Sequence, residues 1–459
     1  MSLPRYTPFS KPLKALEAAD LAVLYEVAEG WYVEYKSKVP DIKSVGKSVS
    51  SFANTYGGWL FYGVQERDDA TRCAGSFPGV PKSELGNVEV RLRNAISTHV
   101  HPPPYYETHA VFGPAPDIGL ANDRAILVVL VPQGQDAPYV HSKGVIYRRI
   151  ADASDPKPET DRHVLDLLWE RGRKVRNRLK EFLEYLPVSS KGESSTSYAH
   201  LFLLSDPLEE RSHQSTLSFE RFSELMRKSE VPKYDVPLEN SFAMHDGYVA
   251  RQVQSNNPYQ LLLTWRYFRS GASVITIPLP SIEIGDDFTG LVSFLSGYTH
   301  VVDFVGACRA SRLASGWVLD LNLLFHILMA LKSKHITLVT EDGYSGLAYA
   351  KVHLENVWRR IPFLDTDSYV LFLKKHGMPV IQEAEAFAPP GRGPETLVKL
   401  SVSQVAGGVC MEGLGELLIS VAAALGLPFD MTAKSLNELD ELESRAVSVQ
   451  KARSLKARS

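Results

Sequence analysis

The stretch Ser50–Val64, SSFANTYGGWLFYGV, decides how the first part of the chain is read. Just upstream, Ile42, Val45, Val49 and Phe52 share the spacing of one helix face, so the sequence predicts a helix from Pro40 to Phe52. Asp41 suits its N-cap. Asn54 or Tyr56 ends it, and Gly57 suits the left-handed residue that follows a helix. Trp59–Val64 is apolar on both faces, which predicts a strand buried on both sides. A helix-to-strand loop needs one glycine, so Gly58 poses a question. Either Gly57 and Gly58 only turn the chain and pack tightly, or they let a phosphate come close to the main chain.

Working outward, Trp31–Lys36 alternates, with Trp31, Val33 and Tyr35 on one face and Tyr32, Glu34 and Lys36 on the other. Ser83–Thr98 reads as a second helix, with Leu85, Val88, Leu92, Ala95 and Ile96 inward. The run His101–Tyr106, HPPPYY, cannot be helix interior. Strands are expected at Tyr105–Phe112, Arg124–Val131 and Gly144–Ile150, followed by a long helix carrying Val164, Leu168, Val175, Leu179 and Leu183. Residues 1–186 thus form an α/β domain. The Ser-rich stretch Pro187–Ser197 is a linker. Residues 198–435 read as an α+β domain. Its strands are Tyr259–Arg269, Ala272–Leu279 and His335–Glu341, and its helices are Leu319–Lys332 and Gly413–Leu425. Hairpin-type turns are expected at His245–Gly247 and Glu341–Gly343. The charged tail, 436–459, reads as a frayed helix or a disordered end.

Composition sets bounds. The chain has 459 residues, 44% hydrophobic and 22% charged, enough apolar material for two sizeable cores. A net charge of −3 gives no global basic field, so a nucleic-acid partner would need local basic patches. Cys73, Cys308 and Cys410 follow no zinc or redox spacing and read as reduced thiols. The longest apolar run, Gly316–Leu331, is broken by Asp320, Asn322 and His326 and reads as a buried helix. The expected location is the cytoplasm, with no membrane partner.

Three groups of residues carry a resemblance. They are Glu34-Tyr35-Lys36, Ala53-Asn54-Thr55-Tyr56-Gly57-Gly58, and the strand end Gly63-Val64. Gly144–Pro158, GVIYRRIADASDPKP, adds a Tyr-x-Arg strand and a small polar turn. Over residues 20–170 the sequence resembles the Schlafen/Alba-like domain family of nucleic-acid-binding domains. In the ribonuclease members, acids at these places bind a divalent ion and cut structured RNA such as tRNA. The resemblance therefore implies Glu29 and Glu34, five apart, as two metal-binding acids, with Lys36 following. The third acid follows Gly-Val. Gln65 departs from the family pattern there, which makes Glu66 the choice and Asp68 the substitute. The family's two-lobed members suggest that a homodimer would supply a second lobe.

The chemistry fits such a set. Mg²⁺ or Mn²⁺ takes carboxylate, water and phosphate oxygens. Such an ion polarises a phosphate and acidifies water, and Lys36 would neutralise developing charge. Geometry sets a condition. Residues five apart on one strand face opposite ways, so Glu29 and Glu34 converge only if Gly30 breaks the strand. The structural alternative for Glu34 and Lys36 is a cross-strand ion pair. Asp20 with Glu34-x-Lys36 also fits a loose restriction-nuclease spacing, common by chance.

For grip, Lys38, Lys43, Lys47, Arg148 and Arg149 flank these acids, with Asn54, Gly57 and Gly58 at the helix end. Arg171, Arg173, Lys174, Arg176, Arg178 and Lys180 line the long helix, where a solvated face is the ordinary reading. Tyr32, Tyr35 and Tyr147 are candidates to stack on unpaired bases. His99-x-His101 and His141 read as turn and loop residues. Three function classes follow. One is a metal-dependent RNA endonuclease in stress or anti-phage defence. The second is a non-catalytic DNA- or RNA-binding regulator. The third is a ligand or protein sensor acting through residues 198–435. RNA is favoured over DNA as the partner.

Overall fold

The structure, a computed structural model, describes residues 6–456 except 151–154, 188–194, 209–214, 229–235, 253–261, 286, 314, 345–347 and 402–412. Cys410 and most of the expected linker lie outside the described residues. The chain is mixed α/β, and its main division into two compact units falls between Leu179 and Lys180.

The first unit runs β1 (Val33–Lys36), α1 (Ile42–Asn54), β2 (Gly57–Tyr62), β3 (Gln65–Glu66), β4 (Ala74–Ser76), β5 (Val80–Pro81) and α2 (Leu85–His99). It continues through β6 (Val100–His101), β7 (Glu107–Phe112), β8 (Arg124–Pro132), β9 (Val140–His141), β10 (Val145–Arg148), β11 (Lys157–Pro158) and α3 (Arg162–Leu183). Its main sheet sets β1 parallel to β2, β2 antiparallel to β8, and β7 and β5 against β8. A smaller sheet has the order β11-β10-β9-β6.

The two-residue period of the strands builds a core on each side of the main sheet. Leu60 and Tyr62 of β2, with Leu127, Val129 and Val131 of β8, face Val45, Val49 and Phe52 of α1 and Leu92 and Ile96 of α2. Trp59 and Phe61, with Ile126, Val128 and Leu130, face Phe9, Leu13, Leu16, Leu21 and Leu24 from the N-terminal segment. On β1, Val33 and Tyr35 join this second core. Glu34 therefore points toward α1.

The expected N-cap is in place: Asp41 Oδ1 accepts from the Lys43 and Ser44 N–H groups. The paired glycines are also explained. Gly57 has φ +74°, and a Cβ there would lie 2.6 Å from the Gln133 nitrogen and 2.7 Å from the Val131 oxygen. A Cβ on Gly58 would lie 2.4 Å from the Phe52 ring and 2.7 Å from the Tyr32 oxygen. Both glycines are buried. They admit neighbouring chain, not an external phosphate.

The second unit contains β12 (Ser197–Leu204), α4 (Phe219–Arg227), β13 (Asn240–Met244), β14 (Gly247–Arg251), β15 (Thr264–Phe268), β16 (Ser273–Leu279), β17 (Ser281–Glu283), α5 (Thr289–Phe294), α6 (Val301–Ala310), β18 (Trp317–Asp320) and α7 (Asn322–Glu341). Then come β19 (Ala348–Glu355), β20 (Arg360–Phe363), α8 (Asp367–His376), β21 (Glu385–Ala388), β22 (Val398–Leu400), α9 (Leu414–Ala424), α10 (Phe429–Asn437) and α11 (Leu439–Lys456). An antiparallel sheet has the order β13-β14-β15-β16-β12-β19-β21, with β22 also on β19. A second sheet sets β18 between β17 and β20.

Three expectations here are corrected, the first being the helix at Leu319–Lys332, which starts only at Asn322 because Leu319 and Asp320 end β18. His335–Glu341 is not a strand but the last two turns of α7, whose Ile336, Leu338 and Val339 are buried. The β-branched run favours a strand in isolation, but burial of an unbroken apolar helix outweighs that preference. The expected hairpin at Glu341–Gly343 is accordingly the end of α7. Gly343 takes φ +79°, and the Tyr344 N–H returns to the Val339 carbonyl. His245–Gly247 does join a hairpin, β13 to β14. Helix α7 is long and apolar enough to cross a membrane, yet 78% of that apolar window is buried within the protein. Of the two readings of the tail, helix or disordered end, the described residues show the helix, through Lys456.

Candidate functional site

Glu29 and Glu34 converge, and Gly30 is where the chain bends. The Gly30 N–H donates to the Val33 carbonyl at 3.0 Å, so β1 starts only at Val33. That turn lets the Glu29 carboxylate reach forward to accept the Tyr35 N–H at 3.0 Å. The Lys36 ammonium lies between the two acids, 3.2 Å from Glu34 Oε1 and 3.8 Å from Glu29 Oε1.

Glu34 spends both oxygens on protein partners. Oε1 accepts from the Ser48 hydroxyl of α1 at 2.8 Å, and Oε2 takes the Arg149 guanidinium at 2.7 Å. Arg149 is fully buried. It also donates to the Gly30 carbonyl at 2.9 and 2.7 Å and lies 4.8 Å over the Phe52 ring. It therefore fixes the Glu29–Val33 turn. The alternative Glu34–Lys36 ion pair does form, but within β1 rather than across strands and with the Glu34 side chain buried. Arg149 had no signal marking it as internal, because Arg148 beside it has the same chemistry and strand alternation alone separates them.

Glu29 is different. Its Oε2 is buried and has no hydrogen-bond partner among the described residues. Burial raises its carboxyl to about 7, against the pull of Lys36 and the Tyr35 N–H; Glu34 and Glu66 push it further. Burial alone would lower the Lys36 ammonium, but Glu34 and Glu29 outweigh that and leave its pKa raised, with Asp155 adding to the effect. Glu66, half-exposed on β3, thus shares the neighbourhood of Glu29. Among the described residues, no three His, Cys, Asp or Glu side chains are arranged to hold one metal ion.

The other expected grip residues separate into inner and outer sets. Asn54 is buried: its amide donates to the Tyr139 and Tyr147 carbonyls, and its oxygen accepts the Tyr139 N–H. Asn54, Gly57, Gly58 and Arg149 are thus corrected from surface ligands to parts of the fold. Arg148 pairs with Glu159 at 2.7 Å. Tyr35 and Tyr147 are buried, which removes them as base-stacking surfaces. Arg171 is drawn onto the Asn54 carbonyl at 2.9 Å, and burial lowers its pKa to about 10. Arg176 pairs with Asp136 and Lys174 with Glu170.

Lys38 and Lys43 remain exposed, and Lys47 lies half-exposed 5.4 Å over the Tyr147 ring. Lys143 is exposed in the β9–β10 turn. His99 is buried and stacks on His141, 5.8 Å between ring centres, while His101 is exposed. The two histidines of His99-x-His101 therefore do not share a pocket. Asp20 accepts the Glu17 N–H and pairs with Lys11 at 2.9 Å, which accounts for it without any nuclease role.

Residues 29–158, which hold this whole arrangement, match the family model described as Schlafen, AlbA_2. The first unit is thus similar to the Schlafen, AlbA_2 family over these residues. No curated protein matches the chain. Among solved structures, the DIP2311 protein from Corynebacterium diphtheriae is 19% identical over 33% of this chain, with a TM-score of 0.21. The matched part spans only 27% of that protein's length. The N-terminal domain of a DNA helicase RecG-related protein from Nitrosomonas europaea is 23% identical over 31% of this chain and 93% of its own, with a TM-score of 0.23.

Proposed function

We propose that the first unit binds nucleic acid, with RNA the favoured partner, through the face that carries Lys38, Lys43, Lys47 and Lys143. The observation that carries this reading is that Lys38, Lys43, Lys47 and Lys143 stay exposed or half-exposed while Lys36 and the neighbouring arginines turn inward or pair with acids. Lysines on one face neutralise phosphates and release counterions, which gives affinity on a chain with no net basic charge. The Schlafen/AlbA_2 match supports the same class.

A second reading, a metal-dependent RNA endonuclease, rests on the orphaned Glu29 Oε2, whose carboxyl feels the charge of Glu66. Glu34 is committed to Ser48, Lys36 and Arg149 and orients the site rather than offering a ligand. That leaves Glu29 and Glu66 to hold Mg²⁺ or Mn²⁺, a donor set that fits an ion completed by water and substrate phosphate rather than a closed cage. The ion would supply phosphate polarisation and an acidified water. Lys36 would face the phosphate charge.

The test is incubation of end-labelled tRNA, single-stranded RNA and duplex DNA with Mg²⁺ or Mn²⁺, comparing wild type with Glu29→Gln. Glutamine keeps the acceptor for Tyr35. Cutting by wild type and not by the variant, with RNA retained by both, supports the endonuclease. A salt-sensitive gel shift without cutting supports the binding module alone. Absence of both would sink the nucleic-acid reading and move function to residues 198–435. Homodimerisation, which would bring two lobes onto one RNA, is checked by the solution mass.

A further inference from the structure

A strip of four aromatic rings lies at the turn that carries Glu29. Trp31 and Tyr32 follow Gly30 directly, and Tyr56 caps the same end of the domain just past α1. Trp31 and Tyr56 are 5.5 Å apart between ring centres, Tyr32 and Tyr56 are 6.1 Å apart, and Tyr6 stacks on Tyr32 at 4.7 Å. The strip is open to solvent: Tyr56 is 42% exposed and Tyr6 37%, with Trp31 and Tyr32 half-buried.

The fold invests in holding this strip in place. Gly58 lacks a side chain where the Tyr32 carbonyl approaches, and the Trp59 N–H donates to that carbonyl at 2.7 Å. The Trp59 indole holds the Tyr6 carbonyl at 3.1 Å. Arg149 clamps the carbonyls of Gly30 and Val33 on either side of Trp31 and Tyr32. Large rings left at the surface on so fixed a backbone mark a recognition surface more than a packing accident.

We infer that Trp31 and Tyr56, at the open edge of the strip, stack unpaired nucleobases of an RNA strand whose phosphates lie on the lysine face. This rests on the nucleic-acid reading above and adds the base-contacting surface and a preference for single-stranded segments. Two arguments commit the strip to bases. Its members are rings, whose faces match the π-face that every base presents. It also adjoins the candidate site along the chain, because Gly30 alone separates Trp31 from Glu29. A duplex keeps its bases stacked inside and offers the strip nothing.

The experiment is fluorescence anisotropy with a labelled single-stranded RNA and a duplex RNA of the same sequence, over a salt series. The proteins are wild type, Tyr56→Ala, Trp31→Ala and Trp31→Phe. Tyr56→Ala and Trp31→Ala are expected to weaken single-strand binding about tenfold, with the salt slope unchanged because no phosphate contact is lost. Duplex binding stays as in wild type, and Trp31→Phe, which keeps a ring, binds near the wild-type level. Tyr56 is the most exposed ring, so its variant keeps the test valid if Trp31→Ala fails to fold. Wild-type binding that neither alanine variant changes overturns the inference and leaves the lysine-face reading intact. Equal loss on single strand and duplex overturns it as well. If wild type binds neither RNA, the nucleic-acid reading fails and takes the inference with it.

Discussion

Glu34 and Arg149, 115 residues apart in the chain, form a 2.7 Å ion pair with 1% and 0% of their side chains exposed. The pair ties β1 to the residue just beyond β10 and, through the Gly30 carbonyl, sets the turn that presents Glu29. Breaking a buried pair leaves one charge uncompensated. Arg149→Ala is therefore expected to destabilise the first unit by about 3–5 kcal/mol in denaturant unfolding. Glu34→Leu with Arg149→Met should recover part of that loss. A single-variant loss of under about 1 kcal/mol would mean that the pair is solvated.

The glycines make a second prediction. Gly58→Ala must displace Phe52, on which Arg149 rests, and Gly57→Ala meets the β8 main chain at φ +74°. Each is expected to cost about 1–3 kcal/mol, the range for overpacking a filled site. Thermal melting checks it. A neutral Gly58→Ala would show that the pair serves something outside the fold.

A third prediction concerns pH. His335 is buried in the second unit, with Nδ1 on the Ser273 hydroxyl and its ring stacked near Trp265; burial lowers its pKa to about 3. The unfolded chain takes up that proton near 6.5 and the folded chain does not. Stability is thus present above about 6.5 and lost as pH falls toward 3, on the order of 4 kcal/mol for this one group. His335→Phe should flatten the acid limb of the melting-temperature profile between pH 7 and 4. An unchanged limb would place the acid sensitivity elsewhere.

Much of this was legible in the sequence because it rests on periodicity and turn chemistry. The face of α1, its Asp41 cap, the doubly buried β2 and the alternation that sends Glu34 and Lys36 to one side are all local patterns. So is the role of Gly30, since only a broken strand could bring Glu29 to Glu34. What was not legible depends on long-range contact. Arg148 and Arg149 are alike in sequence, and only the fold makes one internal. Asn54 reads as a polar helix end until Tyr139 and Tyr147 close over it. Trp31 and Tyr56 lie apart in the chain, so their contact needs coordinates. His335–Glu341 failed for the opposite reason: a local strand preference yielded to burial of a long helix.

The central claim is that the lysine face binds RNA phosphates. Its most direct measurement is the salt dependence of RNA affinity for wild type and for Lys38→Ala/Lys43→Ala/Lys47→Ala. Three lost phosphate contacts should make the slope of log affinity against log salt shallower by about 2–3 and weaken binding at low salt. An identical slope and affinity in the triple variant, or no wild-type binding at low salt, would contradict the account.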